Sequence, residues 1–586
     1  MTWTMATNPL NNIGLSALAA AVPILYLFWA LAYKRMKGHI AAVSAVIIAI
    51  LISVTVYGMP IKLAALSTFN GMLFGLWPVA WIVVTAVFIY NLSVKTGQFE
   101  IIKNSLASIS DDRRLQAMLI AFSFGAFLEG AAGFGTPVAI SAAMLVGLGF
   151  NPLYAAGLCL LANTAPVAFG AIGIPIVVGA QVSGMPLMAL SQMVGRTLPF
   201  ISILVPMYLV ILMSGWKNGM EVWPAGLVCG GSFALTQWLT SNFLGPLLPD
   251  ILASIVSIVC MVIFLKKWHP KNIWRFADEP ASQGREVLKY SGGQVFRAWA
   301  PFIILSLFVA AWGIKPVKEA LDYFTLINFK IPGLDKMVIG GNGPIPAVYG
   351  LNILSAAGTA ILLAGLFSVP VMGASVATAV EVAANTVYTL RWAVVTISLV
   401  LGFAYIMNFS GMTVTLGNAF ASTGKLFPFF SPFMGWLGVF MTGSDTSANA
   451  LFGKLQHITA SKIGVDPLVT VSANTCGGVC GKMISPQSLS VATAAVGLVG
   501  KEADIFRFTF KHSLVLTGVV GLMTMALAYG VTWMVPQYVI ATASAAAKAA
   551  AAAPAFPSQG LFYLVIAMFV VVIVAISSRV MGGKTA

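Results

Sequence analysis

Charge is what this chain has least of. Asp, Glu, Lys and Arg together make up 8% of its 586 residues, against 59% hydrophobic types; a soluble domain carries about 25% charged residues. So few charges cannot cover a water-facing surface, which leaves lipid as the solvent for most of the chain. Histidine is scarce, with four residues, and the five cysteines (Cys159, Cys229, Cys260, Cys476, Cys480) all sit in apolar stretches. Cys476 and Cys480 lie four apart, but no His or further Cys completes a ligand set, so they read as small packing residues and no metal is expected. The chain has no G-x-S-x-G, no Walker loop and no H-E-x-x-H, and nothing pairs a nucleophile with a base. The longest stretches outside apolar runs, 266–296 and 314–346, are too short for a soluble output domain. An enzyme or a sensor is therefore disfavoured, and no organic cofactor is expected. No cleavable signal peptide is apparent: the first apolar run, Leu15 to Tyr33, is followed by Lys34, Arg35 and Lys37 and reads as a retained span. His39, His269 and His512 stand at basic loop edges and read as surface or headgroup contacts, and His457 as facing water.

What is present is length of apolar run. Spans are expected near 13–33, 40–58, 64–94, 152–182, 197–214, 222–240, 249–265, 297–313, 347–367, 391–409, 467–499, 513–535 and 560–580, thirteen in all. The net charge of +15 sits in short loops between them, which reads as positive-inside topology rather than as nucleic-acid binding. The basic clusters at 34–37, 95–115, 266–296 and 501–512 mark cytoplasmic loops; Arg579 and Lys584 put the C-terminus inside. The N-terminus and the 314–346 loop then lie outside. Trp77, Trp81, Trp216 and Trp223 suit an aromatic belt. The nearly pure alanine stretch 541–555 reads as an external linker or short helix with no assigned function.

The chain also repeats itself. Gly149-Phe150-Asn151-Pro152-Leu153 is echoed by Gly464-Val465-Asp466-Pro467-Leu468, and Ala162-Asn163-Thr164, Gly170 and Pro175 by Ala473-Asn474-Thr475, Gly481 and Pro486. The spacing A-N-T-x5-G-x4-P is the same in both copies. Each copy follows a glycine-broken segment: Glu129, Gly130, Gly133, Gly135 and Pro137 in the first, Gly443, Ser444, Asp445, Thr446 and Asn449 in the second. Such clusters break a membrane helix and free backbone groups, which is tolerated where the chain turns back to line a polar cavity. Hairpins are expected at about 116–150 and 426–463. The loop charges start and end the first at the cytoplasmic face and the second outside, so the copies are inverted. That is the architecture of many secondary transporters, with a site near the midplane. The chain divides accordingly into scaffold helices (1–115), a first transport repeat (116–182), further scaffold helices (183–425), a second repeat (426–499) and C-terminal helices (500–586). The fold class expected is an all-α polytopic membrane protein.

Broken helices offer unpaired N–H groups and a partial positive charge to an anion. Asn163-Thr164 and Asn474-Thr475 add side-chain donors, or merely satisfy the broken backbone; Ser444, Thr446 and Asn449 add hydroxyl and amide groups. Lys482, between Gly481 and Pro486, holds a carboxylate, pairs with Asp445, or snorkels to an interface. Glu129 and Asp445 are the acids of the hairpins, and reversible protonation and a structural ion pair are both open for each. Glu129 is favoured as the proton carrier because no basic residue lies within ten positions of it.

The motifs F-L-E-G-A-A-G-F-G-T-P-V-A-I (127–140), A-N-T-A-P-V-A-F-G (162–170), F-F-S-P-F-M-G-W-L-G-V-F-M-T-G-S-D-T-S-A-N-A-L-F (429–452) and G-K-M-I-S-P-Q-S (481–488) resemble the L-lactate permease family, as do G-L-W-P-V-A-W-I (75–82), G-G-S-F-A-L-T-Q (230–237) and F-R-F-T-F-K-H-S (506–513). The likeness runs from about 13 to 535. It implies proton symport of L-lactate, and often of D-lactate and glycolate, across the bacterial inner membrane. It also implies an elevator-type mechanism and a monocarboxylate and the bilayer as partners, with a homodimer as a candidate assembly. Sodium coupling or a dicarboxylate substrate is the alternative. The chain departs from the family beyond 535, and in Lys454, where a small or polar residue is expected and an altered substrate preference would follow.

Overall fold

The structure is a computed structural model that describes residues 2–133, 135–276, 290–341 and 343–539. The alanine-rich stretch 541–555, the span expected at 560–580 and the orienting Arg285, Arg579 and Lys584 lie outside the described residues.

Among the described residues seven helices are long and apolar enough to cross a membrane: Ile13–Leu31, Gly38–Thr55, Ile61–Lys95, Leu187–Glu221, Gly292–Gly313, Val376–Ser410 and Glu502–Tyr529. An eighth crossing is formed if Pro152–Ala162 and Val167–Ser183, bent by 63° at their junction, count as one span. Several helices outrun the apolar windows that announce them; the span expected at 391–409 is the last half of a 35-residue helix, whose earlier turns carry Glu381. The span expected at 347–367 is displaced. Its helix is Ala357–Met372, and Val348–Asn352 is a strand. A hydropathy window sums apolar residues whatever their period, so it cannot separate a β-branched and aromatic strand from the start of a helix. The span expected at 467–499 is two helices, Pro467–Lys482 and Pro486–Ala495.

Short strands qualify the all-helical expectation outside the apolar core. Leu326–Lys330 pairs antiparallel with Val348–Asn352, and Val338–Gly340 pairs parallel with Trp3–Thr4. The amino-terminal segment is thereby fixed to the 314–352 region.

Nine helices position the site. Gly125–Ala131 (α1) and Thr136–Gly147 (α2) are the arms of the first hairpin, joined through Gly133 and Gly135 at positive φ. Pro152–Ala162 (α3) and Gly170–Ser183 (α4) are the halves of the first broken helix. Pro249–Leu265 (α5) packs against the tip of that hairpin. Phe427–Thr442 (α6) and Asp445–Ile463 (α7) form the second hairpin, turned at Gly443. Pro467–Lys482 (α8) and Pro486–Ala495 (α9) complete the second broken helix.

Helix α8 is buried without interruption from Leu468 to Lys482. It is small-residue rich rather than strongly apolar, because α6 lies against it backbone to backbone. A Cβ at Gly435 would overlap the Asn474 carbonyl, and one at Gly477 the Pro432 carbonyl, the close approach that small residues permit between membrane helices. Cys476 and Cys480 are buried free thiols in this packing.

The hairpin bases are tied to different loops. Beside the first, the buried Arg114 donates to both Asp112 oxygens, to Glu221 and to the Asn218 and Asn272 carbonyls; Asn104 nearby donates to Tyr290 at 3.2 Å. Beside the second, Thr415 donates to the Thr7 carbonyl at 2.9 Å, and Gly411 packs on Ala6.

Candidate functional site

Both hairpins and both broken helices meet at one small cavity of about 60 Å³, lined by Glu129, Gly170, Ala171, Pro175, Gly443, Ser444, Asp445, Thr446, Lys482 and Gln487, with Val167 behind them. The first turns of three helices line it. Asp445 and Thr446 open α7, whose cap Ser444 accepts from the Ser447 N–H at 3.2 Å. Gln487 is the second residue of α9, capped by Ser485. Helix α4 begins with Ala171 and Ile172 at φ 45° and 56°, before Gly173 at 69°. Left-handed backbone at alanine and a β-branched isoleucine costs on the order of 1–3 kcal/mol per residue, and such strain clusters at functional sites. Three helix N-termini concentrate N–H donors and positive dipole ends on one volume, the electrostatics of an anion site.

Four charged or amide groups define its chemistry. Glu129 is 3% exposed; its Oε2 accepts from Asn163 Nδ2 at 3.0 Å and its Oε1 lies 3.8 Å from Lys482 Nζ. Lys482, 8% exposed, ends α8, where a cation complements the helix dipole. Asp445 is 2% exposed and neither of its oxygens has a hydrogen-bond partner. Asn163 Oδ1 is also buried without one. Gly170 and Gly478 make the room: a Cβ there would overlap the Glu129 or the Asp445 carboxylate.

The alternative pairing of Lys482 with Asp445 is thus not the one observed. The ion pair joins Lys482 to Glu129, and the absence of a basic residue near Glu129 in sequence is made good by the other repeat. Other expected residues stand off the cavity. Asn449 donates to the Pro175 carbonyl at 3.0 Å and accepts from Asn474 at 2.9 Å, and Asn474 accepts from Gln456 at 3.2 Å. This amide chain fastens α4, α7 and α8 together and supports the site from behind. Thr164 donates to the Leu161 carbonyl, and Thr475 is buried with an unpartnered hydroxyl; neither lines the cavity. Gly130 packs on Asp250, Pro137 starts α2 and Gly481 lies against the Trp436 backbone.

Lys454 donates to the Ser183 carbonyl at 3.3 Å, at the C-terminal end of α4. It is a cap away from the cavity, so its expected bearing on substrate preference has no contact behind it. His512 is buried and bonded through Nδ1 to the Tyr208 hydroxyl, not a headgroup contact; it is Lys511 beside it that faces out of Glu502–Tyr529. Sequence reasoning also missed Gln487, which only its place two residues after the break could have flagged, and Asp250, which lies outside both repeats.

A larger open cavity of about 700 Å³ adjoins the small one through Ser444 and Gln487, and reaches Arg35, Thr396 and Glu502.

Comparison with known proteins agrees over nearly the whole chain. A family described as L-lactate permease matches residues 16–531. The L-lactate permease of Bacillus subtilis is 54% identical over 563 residues, covering 92% of this chain and all of the relative. Glycolate permease GlcA of Escherichia coli is 51% identical over 556 residues, covering 91% and 99%. Among solved structures, the Alcanivorax borkumensis YdaH transporter overlaps 78% of this chain and 86% of its own at 12% identity and a TM-score of 0.42, too loose a match to argue from.

Proposed function

The chain belongs to the L-lactate permease family, and on that premise we propose that it takes up L-lactate, with D-lactate and glycolate as further substrates, by proton symport across the bacterial inner membrane. It is a multi-pass membrane permease, and the cavity shared by the two repeats is its substrate site.

The observation that carries the reading is the Glu129–Lys482 pair beside three helix N-termini. In the structure Lys482 pairs with Glu129. A carboxylate substrate drawn to the same volume competes for that lysine, and two buried anions cannot share one cation without a cost of several kcal/mol. Protonation of Glu129 removes the competitor. Asn163 then serves the neutral acid as well as the charged one, because rotation of its amide offers the unpartnered Oδ1 to the new O–H. Substrate and proton therefore enter together. The hydroxyl of a 2-hydroxy acid meets Ser444, Thr446 and Gln487, with Asp445 beside them.

The two repeats lie inverted in the membrane on this reading. The base of the first hairpin is tied to the region where Gly292–Gly313 begins, through Asn104 and Tyr290. That span leads to the 314–352 strands, which bind the amino-terminal segment beside the base of the second hairpin. Positive-inside loops put the first base in the cytoplasm and the second outside. The larger cavity, with Arg35 on its wall, then opens inward. The repeats move as one body against the scaffold helices to expose the site on the other face, and the assembly is a homodimer.

Reconstituted into proteoliposomes with an inward proton gradient, the protein is expected to accumulate labelled lactate, with choline replacing sodium at no loss and succinate competing poorly. Accumulation that follows sodium and ignores the pH gradient would replace proton coupling with sodium coupling.

A further inference from the structure

Asp250 is a buried carboxyl that this mechanism does not use. It is the second residue of α5, 1% exposed, with neither oxygen hydrogen-bonded and no capping bond to its own helix. It stands against Gly130, the residue after Glu129: a Cβ added to Gly130 would lie 2.7 Å from Asp250 Cβ. The other elements packed against α5 offer it no counter-charge. Helix Trp223–Phe243, segment Ala117–Phe124 and α4 contain no Asp, Glu, Lys, Arg or His; Cys229 is engaged with Ser123 and Ser257. Arg297 on Gly292–Gly313 is turned to the Val371 carbonyl. An ionised carboxylate so placed costs several kcal/mol, and with Lys482 paired to Glu129 Asp250 is the carboxyl left without a counter-charge.

Resting on the reading of Glu129 as the coupling acid, we propose that Asp250 is a second proton-binding carboxyl of the transport cycle, coupled to Glu129. With Asp250 neutral, Glu129 is free to ionise and hold Lys482. With Asp250 ionised, the like charge keeps Glu129 protonated and leaves Lys482 to the substrate. Two interacting acids titrate in two steps that belong to the pair.

The test is the external-pH profile of lactate uptake in proteoliposomes, for wild type and Asp250→Asn, with lactate exchange at fixed pH measured alongside. Asn fixes the neutral state and removes the charge that favours protonated Glu129. Asp250→Asn is expected to keep exchange, to keep the first, more acidic step where wild type has it, and to lose the second, more alkaline one. An unchanged profile overturns the inference, as does loss of exchange in a folded variant. Asp250→Ser gives the same reading if the Asn variant does not fold. Infrared difference spectra of wild type with and without lactate need no variant: two carboxylic-acid bands changing in opposite directions support the pair, and one band contradicts it. Absence of any pH response in wild type defeats the Glu129 reading itself, whereas a responsive wild type with an unaltered Asp250→Asn defeats only the inference.

Discussion

Glu129 and Asp445 have similar standing in the sequence, each the acid of a glycine-broken hairpin, yet they end in different company. Glu129 has Asn163 and Lys482; Asp445 has no hydrogen bond. Types and positions were legible because an acid or a lysine at membrane depth is costly and stands out. The partnership was not, since Lys482 reaches Glu129 only through the packing of one repeat on the other. Lys482→Ala is expected to weaken lactate binding by about tenfold to a hundredfold, the 1.5–3 kcal/mol of a charged hydrogen bond, measured by lactate protection against thermal unfolding. Asn474 is open in sequence between substrate donor and support for broken backbone, and Asn449 reads as a substrate donor; both spend their amides on each other and on backbone. Asn474→Ala leaves Asn449 and Gln456 short of partners in the core and is expected to cost about 1–3 kcal/mol of stability, seen as a lowered melting temperature. Lys454→Gln, at a cap remote from the cavity, is expected to leave the ratio of lactate to glycolate uptake unchanged; an altered ratio would bring that end of α4 into recognition.

At the scale of elements, glycine and proline clusters announced both hairpins. The repeat was legible too, but its copies are not equivalent. Asn163 stands at the break of the first helix, whereas Asn474 is mid-helix and the second break comes after Lys482. Pro166 explains the difference. It occupies the position that Gly477 holds in the second copy, and a proline disfavours helix at the residue before it and removes a donor. Gly477 instead admits α6. Gly477→Ala drives a methyl into the Pro432 carbonyl, and overpacking of about 1–3 kcal/mol is expected. The check is a lower thermal midpoint with residual lactate binding. A variant as stable as wild type would mean that α6 and α8 lie farther apart.

For the whole molecule, hydropathy foresees thirteen spans, whereas among the described residues seven helices, or eight with the bent pair, are long and apolar enough to cross; it also misplaced helix ends. It turned one strand-plus-helix into a single span and could not foresee that the amino-terminal residues pair with Val338–Gly340, because a register across more than 300 positions leaves no local pattern. The proposed inversion of the repeats makes a sidedness prediction. Ser108 and Ser422 are exposed near the bases of the first and second hairpins. In a background without native cysteines, Ser422→Cys is expected to react with an impermeant thiol reagent in intact spheroplasts, and Ser108→Cys only after permeabilisation. The central claim is that substrate displaces Glu129 from Lys482 only when Glu129 carries a proton. The most direct measurement compares gradient-driven net uptake with lactate counterflow for Glu129→Gln in proteoliposomes. Loss of net uptake with counterflow retained is the predicted result; net uptake that still follows the proton gradient would contradict it.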